Sequence, residues 1–316
     1  MNAVLILDKP AGMTSHDVVN RVRRILQERS VGHLGTLDPL ATGVLPLVVG
    51  NLTRLAQFYT SSEKTYEGTI RFGFATDTYD AEGEPASPAQ EVAVSLDQLR
   101  QLASRFRGII EQTPPPFSAK KIQGVPAYKL ARKHAEVALK PVRVEVKEFE
   151  ILEVDTFVGP NAPVQAGEQS LPGCVASFRA RVASGTYMRS VAHDMGRLIG
   201  CGAHLASLRR TAVGEFDLAD AHTLEELDAA AKAGETDDIF IHPRKLLPQF
   251  PSVTANEEMA ARIRSGRPVN LPELSQSRMV KVFTGQRELI AIATRVAGTL
   301  FHAKIVLASE SGRVIA

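Results

Sequence analysis

Between Ser15 and Arg29 the apolar residues Val18, Val19, Val22, Ile25 and Leu26 recur at helical spacing. Ser15 has the chemistry of an N-cap, so the pattern predicts an amphipathic helix reached from an apolar strand at Val4–Leu7 through a Pro/Gly loop. Glycines 32, 35, 43 and 50 then punctuate a stretch with no clean period of either kind. That text reads as loop shaped for close approach of backbone or ligand. Tyr66 to Phe74 alternates as a strand, and Ser95-Leu96-Asp97-Gln98 has the form of a capping box opening a helix with Leu99, Leu102 and Phe106. Residues 142–152 and 175–184 again alternate, separated by a Pro, Gly and polar excursion at 159–173. Ser190 to Ile199 predicts a short helix stopped by Gly200, and Thr223 to Gly234 an acidic, exposed one. Beyond Pro243 to Pro251 the text changes to one short helix and brief strands, including Leu289–Thr294 and Leu300–Leu307. A domain boundary is expected there, giving units 1–248 and 249–316.

Composition alters this picture little. The chain has 316 residues, 44% hydrophobic and 23% charged, which suits one large domain and a small one. Its net charge of +2 is too weak to draw a polyanion by the whole-molecule field, so any nucleic-acid footprint must be local. Two such places stand out. Residues 116–143 carry Lys120, Lys121, Lys129, Arg132, Lys133, Lys140 and Arg143 against one acid, Glu136. Residues 179–210 carry Arg179, Arg181, Arg189, Arg197, Arg209 and Arg210 against Asp194. Clusters of this kind serve RNA phosphates or are merely solvated faces. The two cysteines, Cys174 and Cys201, show no metal or disulfide spacing, so a reduced, cytoplasmic protein without a metal is expected. No run approaches membrane-spanning length, and the apolar start is cut by Asp8-Lys9-Pro10 without a basic leader, which predicts a soluble, untargeted chain.

The densest chemistry lies in Gly32-His33-Leu34-Gly35-Thr36-Leu37-Asp38-Pro39-Leu40-Ala41-Thr42-Gly43-Val44-Leu45-Pro46. Pro39 restricts the backbone of Asp38, and the flanking glycines let a ligand come near one carboxylate held in a bend. Alone, an Asp-Pro pair reads as an ordinary turn. The whole string resembles the catalytic motif of the TruB family, the bacterial tRNA pseudouridine-55 synthases, departing at Leu34, where the family usually has Thr. Further segments resemble the family in the same order: Lys9-Pro10-Ala11-Gly12-Met13-Thr14-Ser15, Lys64-Thr65-Tyr66, Ser184-Gly185-Thr186-Tyr187-Met188-Arg189-Ser190, and Gly202-Ala203-His204-Leu205-Ala206-Ser207-Leu208-Arg209-Arg210-Thr211. The resemblance spans roughly residues 3–220.

That resemblance implies that Asp38 is the catalytic carboxylate, isomerising one uridine of the tRNA T-loop after base flipping, with no cofactor. Arg189 is expected to pair with Asp38 and hold it ionised. Tyr66 is expected to stack on the flipped uracil, with Tyr187 and Leu208 packing the pocket around it. His33 is expected against the nucleotides vacated by flipping. Lys9 is placed at the pocket floor and Arg210 among the RNA contacts. Residues 114–134 resemble the family's inserted thumb, which brings Lys120, Lys121 and Arg132 to the stem-loop. The implied fold is mixed α/β, a largely antiparallel central sheet with flanking helices, followed by a small β-rich, PUA-like RNA-binding domain. A monomer acting on tRNA without an obligatory protein partner or membrane follows from the same likeness. Three other readings remain open at this point: a nucleoside hydrolase using Asp38, a non-catalytic RNA binder, and a guide-RNA-dependent relative. The basic clusters disfavour the first, the Asp38, Tyr66, Arg189 set the second, and the thumb-like segment the third.

Overall fold

The computed structural model describes residues 1–118, 121–122, 125–126, 139–157, 173–273 and 275–307, with backbone alone at 121–122, 125–126 and 157. Lys120 and Arg132, the Lys121 side chain and most of the 159–173 excursion therefore lie outside the described residues.

The first sheet draws on β1 (Ala3–Lys9), β2 (Val31–His33), β3 (Thr42–Val49), β4 (Lys64–Phe72) and β5 (Gly108–Gln112). A small separate pair, β6 (Lys121–Ile122) and β7 (Val125–Pro126), precedes the long β8 (Val142–Phe157) and β9 (Gly173–Val182). It is completed by β10 (Ala203–Val213), β11 (Phe216–Asp217) and β12 (Ala221–His222). The order is β12-β1-β3-β10-β4-β9-β8-β5, with β2 beside β3 and β11 beside β10. Only two of these pairings, β1 with β12 and β10 with β3, are parallel. The sheet is thus mixed and largely antiparallel, as the resemblance implied.

The helices follow the sequence signals closely. Ser95 and Gln98 form the expected capping box for Leu96–Ser104. Gly200, at φ +89°, ends Met188–Ile199 in the left-handed conformation that glycine tolerates best. The first helix is capped by Thr14 rather than Ser15, because Asp17, three residues on, bonds back to the Thr14 backbone. The glycine-punctuated stretch is also not all loop. Residues 31–33 and 42–49 are strands, and β3 is buried along nearly its whole length, so its apolar run carries no two-residue period to read.

Where β3 runs beside β10, Gly43 sits at φ +95° with the place of a Cβ 2.2 Å from the Arg210 carbonyl oxygen. A side chain there would collide with backbone, not with a movable side-chain end. Gly43→Ala is expected to cost roughly 3 kcal/mol in a denaturant titration, through clash and φ strain together. A midpoint equal to wild type would show that the two strands yield easily.

A second sheet, β13 (Ser252–Thr254), β14 (Val269–Asn270), β15 (Met279–Thr284), β16 (Glu288–Ala297) and β17 (Leu300–Val306), forms a β-rich C-terminal domain. It has its own core around Val280, Ile290 and Phe301. Its Phe283, Leu289, Ile292, Ile305 and Leu307 also enter a cluster with Val4, Ile6, Leu52 and Tyr59 of the first sheet's side. The seam carries buried polar ties as well. The Tyr59 hydroxyl donates to Glu215 (2.8 Å), which also accepts from the Leu247 backbone (3.0 Å), and the buried Lys281 ammonium donates to the carbonyls of Arg244 and Leu246.

Candidate active site

The loop between β2 and β3 that carries Asp38 has little secondary structure of its own, so its backbone groups need partners from elsewhere. Three buried side chains supply them. Ser15 brackets Leu37, donating to its carbonyl (3.0 Å) and accepting from its N–H (2.8 Å). Lys9, fully buried, donates to the carbonyls of Pro10, Met13 and Pro39. Arg210, 1% exposed, donates to the carbonyls of Val44, Thr36 and Gly35. Burial pushes the Lys9 ammonium down to about 8 and lowers Arg210 as well. Lys9, expected at the pocket floor, and Arg210, expected among the RNA contacts, both stand as loop supports here, their donors turned to backbone carbonyls beneath the surface.

Asp38 stands on this scaffold with its side chain 40% exposed, at the floor of a pocket of ≈ 250 Å³. Arg189, on the helix Met188–Ile199, brings its Nε within 3.0 Å of Asp38 Oδ2. The Nε–H does not aim along that line, so the contact is an ion pair more than an aligned hydrogen bond. The rest of the guanidinium is fixed: Nη1 reaches Asp80 Oδ2 (3.2 Å) and the Thr78 carbonyl (3.2 Å), and Nη2 the Phe117 carbonyl (3.0 Å). Asp80 is itself held by the Thr78 hydroxyl (2.6 Å) and the Glu82 N–H (3.1 Å). Two carboxylates thus share one buried guanidinium. The enclosed surroundings raise the Asp38 carboxyl above its usual range, Arg189 pulls it back, and Asp80 pushes it up again.

The pocket walls include Tyr66 and Lys64 from β4, Leu208 from β10, and Tyr187 and Arg189 at the start of the helix. Tyr66 is 8% exposed and lies directly across from Arg210 in the β4–β10 ladder. Tyr187 is anchored through its backbone, which exchanges two hydrogen bonds with the Gln112 side chain. Its ring hydroxyl is pushed up by burial. His33 sits outside these walls, at the end of β2, its Nδ1 accepting from the Gly35 N–H, and burial with the nearby Arg210 lowers its pKa. Asp80, Thr78 and Gln112 were missed in the sequence. Thr76-Asp77-Thr78-Tyr79-Asp80 has the composition of a plain surface turn, and only its burial against Arg189 reveals otherwise.

The arginine cluster at 179–210 is far less available than its sequence suggests. Arg179 pairs with Glu67, Arg181 with Glu148 and Glu63, Arg197 with Asp194, and Arg209 with Asp8. Such exposed pairs add little stability, but they cancel the local field that phosphates would feel. Across β4, β8 and β9 the acids opposite supply the balance that the linear count left out. Among the described residues no His, Cys, Asp and Glu group is arranged to hold a metal ion, and no helix is long and apolar enough to cross a membrane.

The arrangement of sheet and helices has counterparts among solved structures. The archaeal box H/ACA sRNP Nop10-Cbf5 complex matches with a TM-score of 0.66 at 25% identity, covering 98% of this chain and 87% of that one. The H/ACA RNP bound to a substrate RNA containing 2'-deoxyuridine matches with a TM-score of 0.67 at 24% identity, covering 98% and 86%. The fold is that of the pseudouridine synthases. A family model described as TruB family pseudouridylate synthase (N terminal domain) matches residues 23–188, and one described as tRNA pseudouridylate synthase B C-terminal domain matches 189–247. A relative from Solibacter usitatus (strain Ellin6076), named tRNA pseudouridine synthase B, is 49% identical over 97% of this chain and 100% of its own length. One of the same name from Aquifex aeolicus (strain VF5) is 36% identical over 97% and 100%. The chain belongs to the TruB family of pseudouridylate synthases and is an isomerase.

Proposed function

We propose that this enzyme converts uridine to pseudouridine in tRNA, at position 55 of the T-loop, taking the base flipped out of the stack into the pocket above Asp38. The observation that carries the reading is the Asp38–Arg189 pair at the floor of a pocket walled by Tyr66 and Leu208. In the reaction the N1–C1′ bond breaks, the uracil turns, and C5 bonds to C1′; C5 gives up its proton and N1 gains one, so nothing is consumed. A carboxylate at this place can act as nucleophile toward sugar or base, or as a base on a sugar proton. Arg189 keeps it charged and oriented, and Tyr66 offers its face as the stacking platform. The β-rich domain serves as a PUA-like RNA-binding unit, and the segment 114–134, with Lys120, Lys121 and Arg132, as a thumb over the stem-loop. The enzyme acts as a monomer in the cytoplasm without guide RNA, a reading supported by relatives named tRNA pseudouridine synthase B that match nearly the whole chain.

The test is incubation of the pure protein with an unmodified tRNA transcript and no additions. A carbodiimide-dependent reverse-transcription stop at position 55 is expected. Release of free uracil would favour a hydrolase, no change a binder, and a stop elsewhere would refute the T-loop assignment.

A further inference from the structure

The buried cations around the catalytic loop differ in how their charge is balanced. Arg189 has Asp38 and Asp80. Lys9 feels Glu82, Asp38 and Asp17. Lys64 has no carboxylate within ion-pair distance among the described residues. It is 8% exposed, and its ammonium has one hydrogen-bond partner there, the Ser62 carbonyl (2.5 Å). Neighbouring Glu63 points to the other face of the strand, where it pairs with Lys147 and Arg181. The charge that does act on Lys64 is a like one, Arg210, whose own donors are turned to loop carbonyls. Across the ladder its partners are Val182 on β9 and Val213 on β10, which offer no charge. An unpaired buried charge costs several kcal/mol, so a lysine kept in this place without a counter-ion points to a ligand that brings one. It lines the same pocket as Asp38 and Tyr66, its stem passing beside Gly35.

We propose that Lys64 binds a backbone phosphate of the nucleotide held in the pocket, with Arg210 beneath it as a fixed second charge. This rests on the reading that the pocket takes a flipped nucleotide. A phosphate fits better than the uracil itself, because its charge is present on arrival, whereas the base carries none until its bond to the sugar breaks. The free enzyme also leaves Lys64 with two unused ammonium donors among the described groups, the number a pair of phosphate oxygens can accept.

The inference has a thermodynamic signature. Burial, then Arg210, brings Lys64 down to about 8 in the free enzyme, so near pH 8 about half the molecules lack its proton. A phosphate raises that pKa, so binding takes up protons, and affinity weakens as pH climbs past 8. Tyr66, Asp38 and Arg189 also face the pocket, and Lys9, whose pKa is likewise about 8, lies beneath the loop. Their contributions are common to wild type and to Lys64→Arg, which stays charged throughout this range.

The measurement is calorimetric titration of each protein with tRNA already converted to product, at pH 8 in buffers of different ionisation enthalpy. Wild type is expected to take up about half a proton more than Lys64→Arg. Lys64→Met is expected to lower the slope of log affinity against log salt by about 0.7–0.9, with single-turnover rate at saturating enzyme changed less than affinity. Equal proton uptake by wild type and Lys64→Arg would overturn the inference. A rate lost in Lys64→Met with affinity and slope intact would also overturn it, by placing the charge on the base. Failure of the underlying reading looks different: the tRNA transcript then shows no stop, whatever Lys64 does.

Discussion

Asp38→Asn lowers the single-turnover rate by at least about a thousandfold while leaving tRNA affinity within a few-fold of wild type. On the proposed function, the carboxylate acts on a base already in the pocket, while affinity rests mainly on phosphate contacts. The substitution has a second, opposite effect. Because its surroundings raise the Asp38 carboxyl above its ordinary 3.8, ionising it costs more in the folded chain than in the unfolded one. That cost is absent below the ordinary value and fully present at neutral pH, once both states are ionised. The asparagine variant is therefore at least as stable as wild type at pH 7, with any advantage fading below pH 4. Single-turnover kinetics, filter binding and thermal melts at the two pH values check all three statements. Near-normal turnover would remove Asp38 from the chemistry.

Arg189→Met does more damage, because it strands two carboxylates. Asp80, 3% exposed, would lose the cation beside it, and breaking a buried pair costs about 3–5 kcal/mol. Asp38 would lose the group that pulls its pKa down while keeping the neighbour that pushes it up. Its pKa moves further upward, and residual turnover shifts to higher pH, since the ionised form is the working one. Adding Asp80→Asn should recover much of the stability but not the rate. Denaturant midpoints and single-turnover rates from pH 5 to 9 for the single and double variants separate these effects. An Arg189→Met protein as stable as wild type would show that Asp80 does not depend on the guanidinium for its place in the fold.

The features legible in the sequence were those whose cause is local. The capping box at Ser95, the glycine stop at Gly200 and the alternation of β4 and β9 depend on a few consecutive residues, and the structure has them nearly where the pattern placed them. Asp38 stood out because the fifteen residues around it resemble the catalytic motif of the TruB family, whereas the Asp-Pro pair alone reads as a turn. What escaped depends on partners distant in the chain. β3 hid because both of its faces are covered. Asp80 looked like turn chemistry until a helix more than a hundred residues later delivered Arg189 against it. Charge misled most of all. Arg210 read as an RNA contact, yet burial turns it toward backbone carbonyls, while Arg179 and Arg181 meet acids from neighbouring strands.

The seam between the two sheets has a mechanical consequence. Apolar residues of both units share one cluster there, and Glu215 and Lys281 stitch it with buried hydrogen bonds. Loosening that joint would expose the shared apolar surface and unpair those polar groups, so the protein has no inexpensive hinge at this point. The β-rich unit and the Asp38 pocket therefore stand at a set distance and angle, like the jaws of a fixed gauge. Any molecule that spanned both would meet two surfaces whose separation the protein does not adjust.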